Sequence, residues 1–375
     1  MNIYLTLIAT FCCALFFSLY VVPVVVGIVK KLNLMDHPNE RSSAVNSVPT
    51  LGGIAIFISF VVATTFGLID YDLPEMKYIL PVLLLIFFVG LTDDIVNLAP
   101  YKKIVGQIIG IVILIFLAKI RFTNLHGIFG ISEIGLLPGA IITGFTFLVI
   151  INAFNLMDGI DGLASGITML ISLVFGGWFY LSGHFNYAIL SIALVGSVGG
   201  FFYFNVFGVK NKIFMGDTGS LVIGTIISIL VIRFNEFNID HSLPYTIHAA
   251  PAISLGILSY PLMDMVRVIF IRLNHARHPF RADKNHFHHR LLILGLSHRQ
   301  AAFSIIGFNI VFIFAVFYLN QRGIVTIISY VVILCIILVL FPAYFIRKNK
   351  LIKRDDPVQQ LLLPKAEKRG RKIRR

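Results

Sequence analysis

Apolar runs long enough to cross a bilayer recur along most of this 375-residue chain. The hydrocarbon core of a membrane is about 30 Å thick, and a helix needs about 20 mostly apolar residues to span it. Eleven stretches approach that requirement, and a count of ten is allowed because the third, fourth and eighth are short. The predicted spans are 3–29, 51–69, 79–92, 104–118, 136–152, 163–181, 187–206, 219–232, 246–271, 301–319 and 323–346.

The composition excludes a water-soluble globular protein. Hydrophobic residues make up 57% of the chain and charged residues only 13%, whereas soluble domains carry roughly 25% charged residues. The three cysteines all lie in apolar stretches, so they form neither a disulfide framework nor a zinc-binding spacing. We therefore predict an all-α fold, a polytopic transmembrane helical bundle.

The basic residues lie mainly on one side of the predicted membrane. The connections after spans one, three, five, seven and nine, together with the C-terminal tail, hold 25 of the 31 Lys and Arg. Because positive charge marks the cytoplasmic side, the N-terminus is expected outside and the C-terminus in the cytoplasm. The chain then divides into a transmembrane domain, 1–346, and a polybasic tail, 347–375, which is expected to lie on anionic lipid or to act only as a topology anchor.

Two adjacent acids, Asp93 and Asp94, close the third span on the cytoplasmic side. Ionisable residues at membrane depth are costly and usually mark function. Neighbouring like charges raise each other's pKa unless a cation lies between them. The pair therefore indicates a metal or a metal-bound phosphate, with a solvated helix end as the simpler alternative.

A row of polar residues follows the fifth span: Asn152, Asn155, Asp158 and Asp161 recur at intervals of three. If this segment is helical, all four side chains lie along one face. A plain loop between two apolar helices does not need such a row, so the pattern favours a binding or catalytic role.

The segment from Lys212 to Ser220 opens the eighth span with glycines, hydroxyls and Asp217. The free backbone N–H groups of a helix start can bind an anion, and Asp217 offers an oxygen ligand to a hard cation. An ordinary capped helix start explains the same residues equally well.

The longest cytoplasmic connection, 272–299, contains six of the eleven histidines together with several arginines. Such a cluster suggests phosphate recognition through charge-assisted hydrogen bonds. Histidine is also a common zinc ligand, but no cysteine and no fixed His spacing supports zinc. Together, the acids and this basic loop predict phosphoryl chemistry on a diphosphate, with Mg²⁺ or Mn²⁺ bound by oxygen ligands.

In this order, the motifs resemble those of the bacterial polyprenyl-phosphate N-acetylhexosamine-1-phosphate transferases, the WecA, TagO and MraY family, and within it the WecA-like branch. The resemblance extends over nearly the whole chain. It rests on Asp36-His37-Pro38-Asn39, Gly52-Gly53, Asp93-Asp94, the run 152–163, Phe214-Met215-Gly216-Asp217-Thr218-Gly219-Ser220, Pro261-Leu262-Met263-Asp264, His286-Phe287-His288-His289 and Ser297-His298-Arg299-Gln300-Ala301.

The resemblance implies a role for each matched residue. Asp217, Asp93 and Asp94 are expected to bind Mg²⁺ or orient the metal-bound diphosphate, and Lys103 to contact the lipid phosphate. The catalytic set is Asp93, Asp94, Asp158, Asp161, Asp217 and His286. The substrate-binding set is Lys103, Asn152, Asn155, Asn205 near the nucleoside, Phe214 on uracil, and Arg281, His288 and His289 at the donor phosphates or sugar.

The resemblance further implies transfer of GlcNAc-1-phosphate from UDP-GlcNAc to undecaprenyl phosphate, with release of UMP, to begin O-antigen or enterobacterial common antigen assembly. The expected location is the bacterial inner membrane, with a cytoplasmic active site, no nucleic-acid partner, and a homodimer as one allowed assembly. Arg41 is followed by Ser42-Ser43-Ala44, where the family usually has basic residues and a His. Another UDP-N-acetylhexosamine donor therefore stays open.

A secondary transporter and a membrane scaffold are the alternatives to a transferase. A secondary transporter would use membrane-embedded acids to relay ions, but it usually places them near the midplane and carries internal repeats. Only Asp264 and Arg267 resemble a midspan pair, and a structural ion pair explains them. A membrane scaffold would leave the polar row after span five unexplained.

Overall fold

The computed structural model describes residues 2–32, 35–36, 48–242, 244–274 and 286–355, with side chains for all of these except 35, 36, 343 and 346–355. Within these ranges the chain forms thirteen helices. They are α1 Ile3–Lys31, α2 Gly52–Gly67, α3 Met76–Val96, α4 Pro100–Phe116, α5 Leu136–Met157, α6 Leu163–Leu181, α7 Phe185–Phe207, α8 Gly216–Phe237, α9 Ala250–Ile257, α10 Ser259–Asn274, α11 Phe287–Ile293, α12 His298–Tyr318 and α13 Ile324–Asp355.

Two short antiparallel strand pairs and a 3-10 helix, Asn320–Arg322, complete the described secondary structure. β1 (Met35–Asp36) pairs with β2 (Val48–Pro49), which leads directly into α2. β3 (Asn124–Ile128) pairs with β4 (Ile131–Glu133) between α4 and α5. The prediction of an all-α, polytopic helical membrane protein is therefore confirmed.

Each of the eleven predicted spans coincides with a helix or a helix pair. Eight described helices are long and apolar enough to cross a membrane, and the pair α9 and α10 raises the count to nine. α2 and α4, with 16 and 17 residues, are shorter than a full span. The count of eleven and the orientation in the membrane stay predictions. α13 continues past the predicted domain boundary at 346 to Asp355.

Helix α8 lies at the centre of the bundle and packs against α2, α3, α5 and α6. In its most apolar stretch 83% of the residues are buried, against 11% in α13. A helix that is apolar on all sides belongs in the interior of a protein or in lipid. α8 therefore lies in the interior of the protein, and the exposed surface of α13 is suited to contact lipid.

Small residues allow α1 and α7 to approach closely. A Cβ atom at Gly196 would lie 2.7 Å from the Ala14 Cβ, and one at Gly200 would lie 2.5 Å from the Ser18 Cβ. Helix association in lipid depends on such packing because burial of apolar surface from water contributes little there. The Ser18 hydroxyl also donates to the Ser197 carbonyl across this contact at 2.7 Å.

The predicted span 246–271 is not one straight helix, because α9 and α10 meet at an angle of 73°. Pro261 lacks the N–H that would donate to the Ile257 carbonyl in a continuous helix. Asn309 of α12 supplies the missing donor, at 3.1 Å from its Nδ2 to that oxygen. Its Oδ1 accepts from the Ser259 hydroxyl and the Tyr260 N–H at 3.0 and 3.2 Å. The break between α9 and α10 is therefore stabilised by hydrogen bonds to Asn309 of α12.

α3, α5 and α7 end, and α4, α6 and α8 begin, at the same end of the bundle, which carries Asp93, Asp94, Asp158, Asp161 and Asp217. We call this the acidic end. At the opposite end Glu75, beside the start of α3, forms an ion pair of 2.7 Å with Arg233 of α8. Arg233 also donates to the Tyr187 hydroxyl at 2.9 Å. Polar contacts thus join α3 and α8 near both of their ends.

Candidate active site

Lys103 joins the two halves of the acidic end. Its Nζ lies 2.5 Å from the Asp93 Oδ2 and also contacts the Asp217 Oδ2. The side chains of Lys103, Asp93 and Asp217 are only 22, 10 and 27% exposed. Asp93 and Asp217, which are 124 positions apart in the chain, thus share one ammonium group.

A tight turn between α3 and α4 brings Lys103 to this position. The Leu98 N–H donates to the Asp93 Oδ1 at 2.7 Å, and Asn97 adopts a left-handed conformation with φ of 52°. Pro100 then starts α4 as one of its first helical residues, where its fixed φ suits a helix and its missing N–H is not needed. Lys103 follows one turn later.

Asp94 binds the beginning of α8. Its Oδ1 accepts the Asp217 N–H at 2.7 Å. Its Oδ2 accepts the Thr218 N–H and the Thr218 hydroxyl at 2.9 and 2.5 Å. The adjacent acids Asp93 and Asp94 therefore have different partners, which the sequence did not predict.

Glycines let the backbone of the Phe214–Ser220 segment approach its neighbours. The Gly52 and Gly53 N–H groups donate to the Phe214 and Met215 carbonyls, each at 2.9 Å. A Cβ at Gly53 would overlap the backbone of Gly219. These contacts give the predicted Gly52-Gly53 motif a physical role, since its backbone packs directly against the backbone of this segment.

Gly90 is a site residue that the sequence interpretation missed. It lies one turn before Asp94 on α3, and a Cβ there would lie 2.5 Å from the Thr218 Cα. The signal was available, because a glycine within an apolar span, one turn from an acid pair, often marks a close helix contact.

The row from Asn152 to Asp161 would share one face only if it were helical throughout, and this condition is not met. α5 ends at Met157, and Asp158 has a non-helical ψ of 75°. Asn152 and Asn155 therefore lie on the last turns of the helix, whereas Asp158 and Asp161 lie in the turn beyond it. The helix ends there because Gly159 and Gly162 follow, and Gly162 takes a φ of 81° that other residues rarely adopt.

The members of this row have separate contacts. The Asn155 Nδ2 donates to the Ser220 hydroxyl at 3.0 Å, and the Asn152 Nδ2 to the Gln107 Oε1 at 3.0 Å. The Asp161 Oδ2 lies 2.5 Å from the Lys212 Nζ. This segment therefore packs beside the start of α8, where Asp217 lies.

The pKa of Asp158 is raised by its surroundings. Burial, and then the charges of Asp217, Asp94 and Asp161, raise its pKa to about 7. Burial is the larger cause, and the neighbouring carboxylates add to it.

Asn205 lies within the same region but is only 6% exposed. Its Oδ1 accepts the Gly162 N–H at 2.7 Å, and its Nδ2 donates to the Ile213 carbonyl at 2.9 Å. Its amide therefore holds two site loops together, and the predicted nucleoside contact stays a prediction. Phe214 is half-buried beside these loops.

The histidine-rich connection is described from His286 onward, and Arg281 lies outside the described residues. The His286 Nδ1 lies 2.8 Å from the Asp264 Oδ2, and the Asp264 Oδ1 accepts the Phe287 N–H at 2.7 Å. The predicted ion pair between Asp264 and Arg267 is longer, at 3.8 Å. The shorter contacts of Asp264 thus attach α11 to α10.

His288 connects this segment to the acidic end. Its ring is fully buried and lies parallel to the His286 ring, with centroids 5.4 Å apart. A Cβ at Gly159 would lie 2.6 Å from the His288 Nε2. Burial lowers the pKa of His288 to about 3, so this ring is neutral at physiological pH. The His289 ring lies 4.4 Å from it.

The structure thus brings together all the predicted site residues that it describes, with Asn152 and Asn205 in supporting contacts. Among the described residues, no group of three or more His, Cys, Asp or Glu side chains has the arrangement of a metal site. The segments His37–Asn39 and Arg41–Ala44 lie outside the described residues.

Comparison with known proteins places this arrangement in a family. The model of glycosyl transferase family 4 matches residues 76–235. The undecaprenyl-phosphate alpha-N-acetylglucosaminyl 1-phosphate transferase of Escherichia coli K12 is 33% identical over 279 residues, which cover 73% of each chain. The chain belongs to glycosyl transferase family 4.

Two further relatives are similar over comparable lengths. The enzyme of the same name from Yersinia pestis is 31% identical over 275 residues, 72% of this chain and 73% of its own. A probable undecaprenyl-phosphate N-acetylglucosaminyl 1-phosphate transferase of Bacillus subtilis strain 168 is 32% identical over 306 residues, 80% of this chain and 82% of its own. The predicted resemblance is confirmed, and the protein is a membrane-spanning transferase of family 4.

The family 4 match begins with α3 and ends near the end of α8, so it contains both carboxylates that Lys103 joins. Membership in a family of transferases favours an enzyme over a secondary transporter. His286 and Asp264 lie outside the matched range.

Proposed function

We propose that this protein transfers GlcNAc-1-phosphate from UDP-GlcNAc to undecaprenyl phosphate and releases UMP. The names of the similar enzymes from Escherichia coli and Bacillus subtilis support undecaprenyl phosphate as the acceptor and GlcNAc-1-phosphate as the transferred group. The observation that supports it most within the fold is the pair of carboxylates bridged by Lys103 at the acidic end. A diphosphate and its counter-cation need such a mixture of charges.

The donor set fits a magnesium ion. Mg²⁺ is usually held by one or two carboxylates and takes its other ligands from phosphates and water. Asp217 and Asp93 would hold it, because they face one another across Lys103. Asp94, Asp158 and Asp161 add further acidic groups near Asp217. When bound, such an ion neutralises charge on the diphosphate.

The reaction exchanges one phosphoanhydride for another. An oxygen of the lipid phosphate forms a bond to the phosphorus that carries GlcNAc, and the bond from that phosphorus to the bridging oxygen breaks. UMP leaves with the electron pair. A phosphate monoester is mostly dianionic at pH 7, since its second pKa is about 6, so the nucleophile needs no strong general base.

The protein therefore contributes mainly position and charge, as is usual in phosphoryl transfer. Lys103 binds the lipid phosphate and Lys212 lies where a donor phosphate can replace Asp161 as its partner. Asp264 holds the His286 Nδ1, which directs the Nε2 atom to the donor. His288 is neutral, and its ring packs against Gly159 in the turn that holds Asp158.

The proposed reaction places the acidic end on the cytoplasmic side of the bacterial inner membrane, where UDP-GlcNAc is available. The bias of basic residues toward that side supports this orientation. The product would begin a cell-envelope polysaccharide such as O-antigen or enterobacterial common antigen.

The test is transfer by the purified full-length protein in detergent with undecaprenyl phosphate, Mg²⁺ and radiolabelled UDP-GlcNAc. We expect lipid-linked GlcNAc and one UMP for each product molecule. Transfer from another UDP-N-acetylhexosamine alone would reassign the donor. Failure with every UDP-sugar would refute the proposed function.

A pair of matched variants locates the activity. Asp217→Asn is expected to abolish transfer while leaving membrane insertion intact, because Asp217 is one of the two carboxylates on Lys103. Asp240→Asn, an exposed acid that follows α8 at the opposite end, is the control and should retain transfer. Near wild-type activity in Asp217→Asn would refute its role.

A further inference from the structure

Asp94 contacts the beginning of a helix, which is not what is expected of a metal ligand. The first N–H groups of a helix have no partner within the helix and need an acceptor from elsewhere. At the start of α8 the local cap residue, Met215, makes no side-chain hydrogen bond. Asp94 of α3 supplies the acceptors instead, with the Asp217 and Thr218 N–H groups at 2.7 and 2.9 Å.

This contact leaves Asp94 little capacity for another partner. Its Oδ1 accepts one donor and its Oδ2 accepts two, the second being the Thr218 hydroxyl at 2.5 Å. An ionised carboxylate has about four acceptor positions, so about one of them is left for a metal, against the two or more that a ligand without these contacts would offer. A negative charge at a helix N-terminus is also favourable in its own right.

The backbone around Asp94 is shaped for this contact. A Cβ at Gly216 would lie 2.6 Å from the Asp94 Oδ2, and one at Gly90 would lie 2.5 Å from the Thr218 Cα. Both glycines therefore allow α3 to come close enough for Asp94 to reach around the first turn of α8.

Asp93 has a different environment. Its Oδ2 shares the Lys103 ammonium with the Asp217 Oδ2, and an incoming cation or phosphate can exchange with that ammonium without disturbing a helix end. The two neighbouring acids thus differ in their contacts: the Asp93 Oδ2 contacts a side-chain ammonium and its Oδ1 accepts the Leu98 N–H in the turn after α3, whereas both oxygens of Asp94 accept donors at the start of α8.

We propose that Asp94 is a positioning residue that caps α8 from α3 and fixes the place of Asp217, whereas Asp93 and Asp217 face the substrates. The proposal rests on the proposed function for the identity of those substrates. It assigns separate roles to the members of the acid pair, and it predicts that the acceptor atoms of Asp94 matter more than its charge.

Asn and Ala replacements at position 94 separate these possibilities. Asn keeps one acceptor oxygen for an N–H of the helix start, and its Nδ2 can donate to the Thr218 hydroxyl, whereas Ala can make neither contact. We expect Asp94→Asn to keep at least about ten times the kcat of Asp94→Ala, since the loss of a cap costs roughly this factor in the population of the ordered helix start. The half-saturating Mg²⁺ concentration of Asp94→Asn should match wild type, while that of Asp93→Asn should rise.

Thermal unfolding of the same proteins, without Mg²⁺ or substrate, gives a readout that does not need turnover. The expected order of melting temperatures is wild type, then Asp94→Asn, then Asp94→Ala, with Asp217→Asn close to wild type. An Asn variant as inactive as Ala, a raised Mg²⁺ requirement in Asp94→Asn, or equal melting temperatures at position 94 would overturn the proposal. If wild type transfers no sugar phosphate, the proposed function fails, while the melting order still tests Asp94.

Discussion

The contact between Gly90 and Thr218 allows a quantitative test of how closely α3 and α8 must approach. In Gly90→Ala the new Cβ would lie 2.5 Å from the Thr218 Cα, 2.8 Å from its N and 3.0 Å from the Asp217 carbonyl carbon. Ordinary contacts between carbon atoms are about 3.5–4.0 Å. Because the neighbouring atoms belong to backbone, the two helices must separate by about 1 Å.

This displacement should affect both stability and turnover. Overpacking of this kind costs about 1–3 kcal/mol. A shift of about 1 Å between groups that position reactants can reduce the rate by about 100-fold. We therefore expect Gly90→Ala to lower the melting temperature of the purified enzyme and to lower its kcat for transfer of labelled GlcNAc phosphate by about two orders of magnitude.

Gly177→Ala is the matched control. Gly177 is also in a helix, α6, and a Cβ there would have no heavy atom within 4 Å. Replacing a helical glycine by alanine then stabilises by about 0.5–1 kcal/mol. A Gly90→Ala enzyme with wild-type kcat and melting temperature would refute the argument that backbone contact between α3 and α8 sets the site.

Three other changes test separate contacts. Lys103→Gln should abolish transfer, because it leaves two carboxylates without their shared cation, whereas Lys102→Gln, at an exposed position, should behave as wild type in the same radiometric assay. Glu75→Gln should lower the melting temperature more than the double variant Glu75→Gln with Arg233→Met, since the single change leaves Arg233 partly buried without its acid; equal effects would contradict this. Asn309→Leu should destabilise the protein by about 1–3 kcal/mol in thermal unfolding, because the buried backbone groups at the break between α9 and α10 lose their partner.

The positions of the helices followed well from the sequence because lipid imposes a simple rule on length and polarity. The break within 246–271 did not follow. Pro261 alone is compatible with a modest kink, and the 73° bend also depends on Asn309, which lies 52 positions from the carbonyl that it satisfies. Such long-range contacts leave no local pattern.

The site was predictable at the level of which residues meet, but not of what each one contacts. Acids at span ends on one side indicated a shared site, and the structure places them together. The row after α5 would share one face only if it were helical throughout, and the helix ends before Asp158 and Asp161, where Gly159 and Gly162 follow. The different partners of Asp93 and Asp94 could not be predicted, since both sit side by side in the same sequence context.

The lysine between Asp93 and Asp217 has a consequence for the protein without a bound ligand. A counter-ion that is covalently part of the chain is present at a high effective concentration, so these two carboxylates have a cationic partner whatever the local supply of divalent cation. The same ammonium must later be displaced or shared when a ligand arrives. Ligands that bring their own anionic group to receive it are therefore favoured over a bare cation.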